Sequence, residues 1–129
     1  MTRAVAFFDV QNLYGHAKDA FGHTHPNFDP LKLHTAICHE NKWNVDQIRY
    51  YTGIPSRERD PIWHGYWTRR LLALSRQNII TIQRPLRYRD QSILMPDGST
   101  HIKTTPQEKG IDVRLAVDLV SMAYKNLYD

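Results

Sequence analysis

Along this chain, short apolar runs alternate with segments whose apolar residues recur every three or four positions. Ala4-Val5-Ala6-Phe7-Phe8 is an unbroken apolar run of strand length that ends in Asp9. Leu13 to Phe21 then reads as a short helix and Gly22 to Asn27 as a polar loop. Asp29-Pro30 supplies the N-cap and first position of a second helix, reaching Asn41. Gln47 to Thr52 predicts a second strand, closed by Gly53 and Pro55. Asp60-Pro61 repeats the helix-start chemistry, and in the helix that follows to Gln77, Trp63, Trp67, Leu71 and Leu74 share one face. His64, Thr68 and Arg69 fall on its other side. Ile79 to Ile82 predicts a third strand. Two extended segments flank Met95-Pro96-Asp97-Gly98, whose proline and glycine suit a type I turn, so a β-hairpin arm is expected. Two starts compete for the last helix. Thr105-Pro106-Gln107-Glu108 has capping-box spacing, whereas Gly110 favours a start at Ile111. From Ile111 to Tyr128 the pattern is helical, with Leu115, Leu119, Met122 and Ala123 on one apolar face.

Alternation of strand and helix signals predicts an α/β sandwich with a mainly parallel sheet. With no internal repeat, low-complexity segment or linker, residues 1–129 read as one domain. The hydrophobic fraction of 41% and aromatic fraction of 11% argue against disorder. No apolar run approaches the roughly 20 residues that span a bilayer, so no membrane partner is expected. The N-terminus enters a strand at once, which predicts no signal peptide. The single cysteine, Cys38, fits a reducing, cytoplasmic setting and reads as a small core residue.

Charge narrows the partners. A net charge of +4 and a pI near 9.3 favour polyanions. The distribution is more telling: Arg84, Arg87, Arg89, Lys103, Lys109 and Arg114 crowd the expected hairpin and helix start, opposed by Asp90, Asp97, Glu108 and Asp112. Tyr88 lies among them as a candidate for stacking a base, or as a packing residue.

Candidate chemistry starts at Asp9. A strand tip that carries a carboxylate and, at Asn12, an amide offers two hard oxygen ligands where open parallel sheets gather their chemistry. Asp9 serves equally well as a helix cap or a lysine's partner, and Asn12 as the N-cap of the first helix. Asp112 is the best second carboxylate, although an acid in a helix's first turn also favours the dipole. Asp118 lies about 240° round the helix from Asp112, and Arg114 is placed to pair with it. Such a cluster suits a hard divalent cation, Mg²⁺ or Mn²⁺, that polarises phosphate and activates water. Other chemistries fit poorly. His23-x-His25, and His34 with Cys38-His39, match no standard zinc spacing. A haloacid-dehalogenase-like phosphatase wants an acid where Gln11 stands, and glycine-rich phosphate loops are absent.

Through Phe8-Asp9-x-x-Asn12, Pro85-Leu86-x-Tyr88 and Glu108-Lys109-Gly110-x-Asp112-x-x-Leu115-Ala116-x-Asp118-Leu119, the chain resembles an NYN domain, a branch of the PIN-like nuclease superfamily. The order and intervals fit over essentially the whole chain. The resemblance implies a PIN-like three-layer α/β/α fold and an Mg²⁺- or Mn²⁺-dependent endoribonuclease acting on single-stranded or looped RNA. By position, Asp9 and Asp112 would be acidic metal-site residues, Asn12 would position water or phosphate, and Asp118 would support the cluster. Arg84, Arg87, Tyr88, Arg89, Lys103, Lys109 and Arg114 would hold RNA. Family members usually continue into another strand ending in a Ser-Gly-Asp-x-Asp-type motif, and this sequence reaches Asp129 where that strand would begin. The readings then divide. One is an active ribonuclease, from a truncated domain or one completed by a partner or a second copy. The other is a non-catalytic RNA-binding, dimerising or regulatory module with an incomplete site.

Overall fold

The computed structural model describes residues 1–22, 24 and 28–129; His23, His25, Pro26 and Asn27, within the expected polar loop, lie outside the described residues. The elements run β1 (Arg3–Asp9), α1 (Val10–Phe21), α2 (Pro30–Asn41), β2 (Asn44–Ile54), α3 (Pro61–Ser75), β3 (Ile80–Pro85), β4 (Arg87–Leu94), β5 (Thr100–Gln107) and α4 (Ile111–Tyr124). β1, β2 and β3 form a parallel sheet in that order, and β4 and β5 form a separate antiparallel hairpin. This is the mixed, largely parallel α/β architecture that the alternation of signals predicts.

Side-chain parity explains the layers. Successive residues of a strand face opposite sides of the sheet. Ala6 and Phe8 of β1 and Ile48 and Tyr50 of β2 enter one core with Leu13 of α1, Phe28, and Trp67, Leu71 and Leu74 of α3. Phe7, Arg49 and Tyr51 take the other face. There Phe7 meets Tyr128, while Arg49 and Tyr51 both hydrogen-bond to Asp118 of α4. With no reversal of strand order, the crossover elements lie on one side and α4 on the other, a PIN-like α/β/α sandwich. Each strand therefore ends at the same edge of the sheet.

Local sequence fixes the joints. Asp9, not Asn12, is the N-cap of α1: its Oδ1 accepts from the Asn12 N–H at 3.5 Å, and the helix starts at Val10 rather than Leu13. Asp29 caps α2 through the Lys32 N–H, with Pro30 at the first position. His34 donates from Nε2 to the Ala4 carbonyl at 3.0 Å, leaving Nδ1 to accept from buried Cys38, and so pins α2 to β1. Asp60 precedes α3 without making a side-chain cap, and Trp67, Leu71 and Leu74 are buried with Trp63 beside them.

For α4 the later start holds, at Ile111, because β5 extends to Gln107 and absorbs the proline. Its buried stripe also differs from the expected one. Ile111, Leu115, Asp118 and Met122 face the sheet, whereas Leu119 is exposed and Val113, Val117 and Val120 face outward. One member of the docking stripe is a carboxylate, so apolar periodicity alone could not find it. Among the described residues β1 pairs only with β2, and its outer edge is met by Asp129, whose N–H donates to the Arg3 carbonyl at 3.1 Å. No described helix is long and apolar enough to cross a membrane.

Candidate functional site at the carboxyl edge of the sheet

Asp9 stands half-buried at the end of β1, paired in register with Tyr51. Two residues on, Gln11 turns back over β2: its Nε2 donates to Thr52 Oγ1 at 3.2 Å and to the Gly53 carbonyl at 3.3 Å. A carbonyl only accepts, so this contact fixes the amide's orientation. Gln11 Oε1 is thereby left buried without a partner. A buried orphan acceptor is uncommon and costs on the order of 1–3 kcal/mol unless something satisfies it.

Gly53 is where the segments meet. A Cβ there would stand 2.5 Å from Leu86 Cδ2 and 3.2 Å from both Gln11 Nε2 and Glu108 Cγ. The start of α1, the end of β2, the β3–β4 joint and the approach to α4 thus converge on one atom's width of space. Glu108 is the carboxylate delivered to this point. It is half-buried, and its Oε1 accepts the Ile111 N–H at 2.7 Å, closing the first turn of α4 behind Gly110, whose φ is 88°. Neither Gln11 nor Glu108 stood out among the site residues expected from sequence. The available signals were the position of Gln11 two residues after Asp9 and the spacing of Glu108 before Ile111.

The other expected site residues divide. Asn12 is exposed in the first turn of α1. Asp112 is exposed in the first turn of α4, where its Oδ1 takes the adjacent Val113 N–H at 2.9 Å. Asp118 lies two turns away on the sheet-facing side, held by Tyr51 Oη at 2.8 Å, Arg49 Nη2 at 3.1 Å and Arg114 Nε at 3.0 Å. Burial pushes the Asp118 carboxyl up, but hydrogen bonds from Tyr51, Arg114 and Arg49 outweigh it and hold the group below the usual range. Asp118 is therefore an ionised anchor between α4 and β2.

The cationic residues also separate. In the hairpin register Arg89 opposes Thr105 and Lys103 opposes Gln91, which puts Arg87, Arg89 and Lys103 on one exposed face. The opposite face docks. Tyr88 Oη accepts the Ser56 N–H at 2.7 Å, Arg59 lies over the Tyr88 ring at 5.2 Å, and Arg59 reaches Asp90 at 3.5 Å. Tyr88 is thus a half-buried wall of the β2–α3 turn. Arg84, one residue before the end of β3, lies near Gly110, Lys109 is exposed beside Glu108, and Arg114 is committed to Asp118.

The donor set tests the metal that the resemblance implies. Asp9, Glu108 and the orphaned Gln11 Oε1 are hard oxygen donors at one edge. Mg²⁺ is commonly held through one or two carboxylates together with waters and substrate phosphates. Among the described residues no group of three or more His, Cys, Asp and Glu side chains is placed to hold a metal ion. A cation at this edge would draw on Asp9, Glu108 and Gln11 Oε1 and complete its shell with water and phosphate.

A parallel sheet covered on both faces is consistent with a PIN-like α/β/α fold. The NYN domain family profile matches residues 3–129, and the chain belongs to that family. Comparison with curated proteins and with solved structures gave no match.

Proposed function

We propose that this chain is an RNA-directed nuclease domain that cleaves phosphodiesters at the carboxyl edge, with Asp9, Gln11 and Glu108 as its chemical centre. The observation that carries this reading is the convergence of Gln11, Leu86 and Glu108 on Gly53, one strand away from Asp9. Mg²⁺ or Mn²⁺, when bound, would polarise the scissile phosphate and lower the pKa of an attacking water. Asp9 and Glu108 supply the negative charge that holds such an ion, and Gln11 Oε1 accepts a proton-bearing donor, such as a water, at the same edge. Asn12 and Asp112, both exposed on the first turns of the helices that start here, line the approach. Asp118 acts at a distance: by fastening α4 to β2 it sets where Glu108 and Asp112 stand. Arg87, Arg89 and Lys103 on the free face of the hairpin, with Arg84 and Lys109, attract the RNA backbone.

A second reading has its own support. With no three-carboxylate group among the described residues, the domain also fits an RNA-binding module whose metal centre is incomplete. One assay separates the two: cleavage of an end-labelled single-stranded RNA with Mn²⁺ or Mg²⁺ and with chelator. The nuclease reading predicts cleavage that chelation abolishes. Salt-dependent binding without metal-dependent cleavage, in folded protein, contradicts it and supports the binding module.

A further inference from the structure

Beside the carboxylate edge lies a hollow of about 550 Å³, within the range of small-molecule and cofactor sites. Its floor is apolar, made by Ile54, Pro55, Pro85 and Leu86. Its rim carries Arg57 and His64 on one side and Arg84 on the other. A second hollow continues past Arg57 and His64 to Thr68 and Arg69 on α3. Among the described residues Arg57, Arg69 and Arg84 have no carboxylate within ion-pair distance.

The walls are fixed in advance. The Leu86 N–H donates to the Ile54 carbonyl at 2.8 Å, and the Ser56 N–H donates to Tyr88 Oη, so both sides of the hollow are stitched together. His64 Nδ1 donates to the Pro55 carbonyl at 2.9 Å, which fixes the orientation of the ring in the wall. Leu86 is shared between the hollow and the carboxylate edge, since the same side chain crowds Gly53 opposite Gln11 and Glu108. An apolar floor with an unneutralised arginine rim is complementary to one chemical unit, a planar base carrying a phosphate. Single-strand binders combine a basic track with aromatic platforms for bases, and Tyr88 lines this hollow beside the apolar floor.

We propose that this hollow seats one nucleotide of the single-stranded RNA next to the cleaved phosphate, its base on Ile54, Pro55, Pro85 and Leu86 and its backbone on Arg57, Arg69 and Arg84. The inference rests on the RNA reading above and deepens it, adding Arg57, His64 and Arg69 from the β2–α3 turn and α3 to the basic residues expected from sequence.

The test is the affinity of the full chain for a short fluorescent single-stranded RNA, measured across a salt series by anisotropy without divalent metal. Arg57→Ala/Arg69→Ala, both exposed positions, should weaken binding about tenfold and lower the slope of log K against log salt by about 1.4, two phosphate contacts at roughly 0.7 each. The equal-charge control Arg76→Ala/Lys125→Ala, at the opposite edge of the sheet, should lose under about twofold, since screening confines charge effects to roughly 10 Å. A groove variant indistinguishable from the control overturns the nucleotide site while leaving RNA binding intact. No RNA binding by the unaltered chain overturns the RNA reading and the inference with it. A nucleoside monophosphate should compete with the RNA at about tenfold lower concentration than ribose 5-phosphate, by burial of the base. Equal competition overturns the base seat.

Discussion

At the scale of single residues, the same side chain chemistry is used for opposite ends. Asp9 and Asp118 are both carboxylates beside a sheet, yet among the described residues Asp9 accepts from a backbone N–H while Asp118 meets three side-chain donors. Removing Asp118 would strand Arg49, whose side chain is only 15% exposed, beside Tyr51. Asp118→Ala should therefore cost about 1–3 kcal/mol in denaturant unfolding, the scale of losing charged hydrogen bonds at a half-buried site. Because its folded pKa lies below the unfolded value, Asp118 adds stability that is present above the ordinary carboxylate pKa and lost as pH falls through its lowered one. Unfolding midpoints should accordingly drop on acidification in the unaltered chain and drop less in Asp118→Ala. Tyr50 behaves oppositely. Burial pushes its phenol up to about 12, against the pull of nearby Arg70. A raised folded pKa gives stability that is full below the unfolded value of about 10 and lost as pH rises through the folded one. Ultraviolet titration should find one tyrosine ionising near 12, and the Tyr50→Phe variant should lack that step.

At the scale of elements, the joints at the carboxyl edge depend on Gly53. A methyl there would meet Leu86, Gln11 and Glu108 together, and yielding by one side chain would not relieve the other two. Gly53→Ala should cost about 1–3 kcal/mol as an overpacking change, and it should lower cleavage more than stability alone explains by displacing Glu108. Comparing activity per folded molecule, with folded fraction read by circular dichroism, checks both parts. The element pattern itself was largely legible from sequence. Asp29-Pro30 marked α2, the Trp67–Leu71–Leu74 stripe marked α3, and Met95-Pro96-Asp97-Gly98 marked the hairpin, because caps, periodicity and turn chemistry act within a few residues. The face of α4 was not legible, since its sheet-facing stripe passes through Asp118, and only the tertiary partners Arg49 and Tyr51 make a carboxylate part of a packing surface. The same limit hid Gln11 and Glu108: each looks like an ordinary polar residue until the chain brings it over Gly53.

At the scale of the whole molecule, three features adjoin the carboxyl edge of the sheet. The parallel strands end together, the hairpin turns its basic face outward, and the arginine-rimmed hollow opens beside Leu86. Under the proposed function, a polyanion at this edge meets Arg57, Arg69 and Arg84 at the hollows and Arg87, Arg89 and Lys103 on the far face of the hairpin. The proposed function predicts that charge removal at the centre spares affinity and charge removal on the flanks reduces it.

The central claim is that Asp9 belongs to the cleaving centre rather than to the helix cap alone. Asp9→Asn isolates the two roles, because asparagine caps a helix about as well as aspartate and removes only the charge. The decisive measurement is metal-dependent cleavage of a labelled single-stranded RNA by Asp9→Asn beside the unaltered chain, with RNA affinity and thermal midpoint recorded on the same samples. The account predicts cleavage reduced by at least about a hundredfold, the scale of losing a group that acts in the chemical step, with affinity and midpoint held. Cleavage retained at the level of the unaltered chain would contradict it and return Asp9 to the role of a cap.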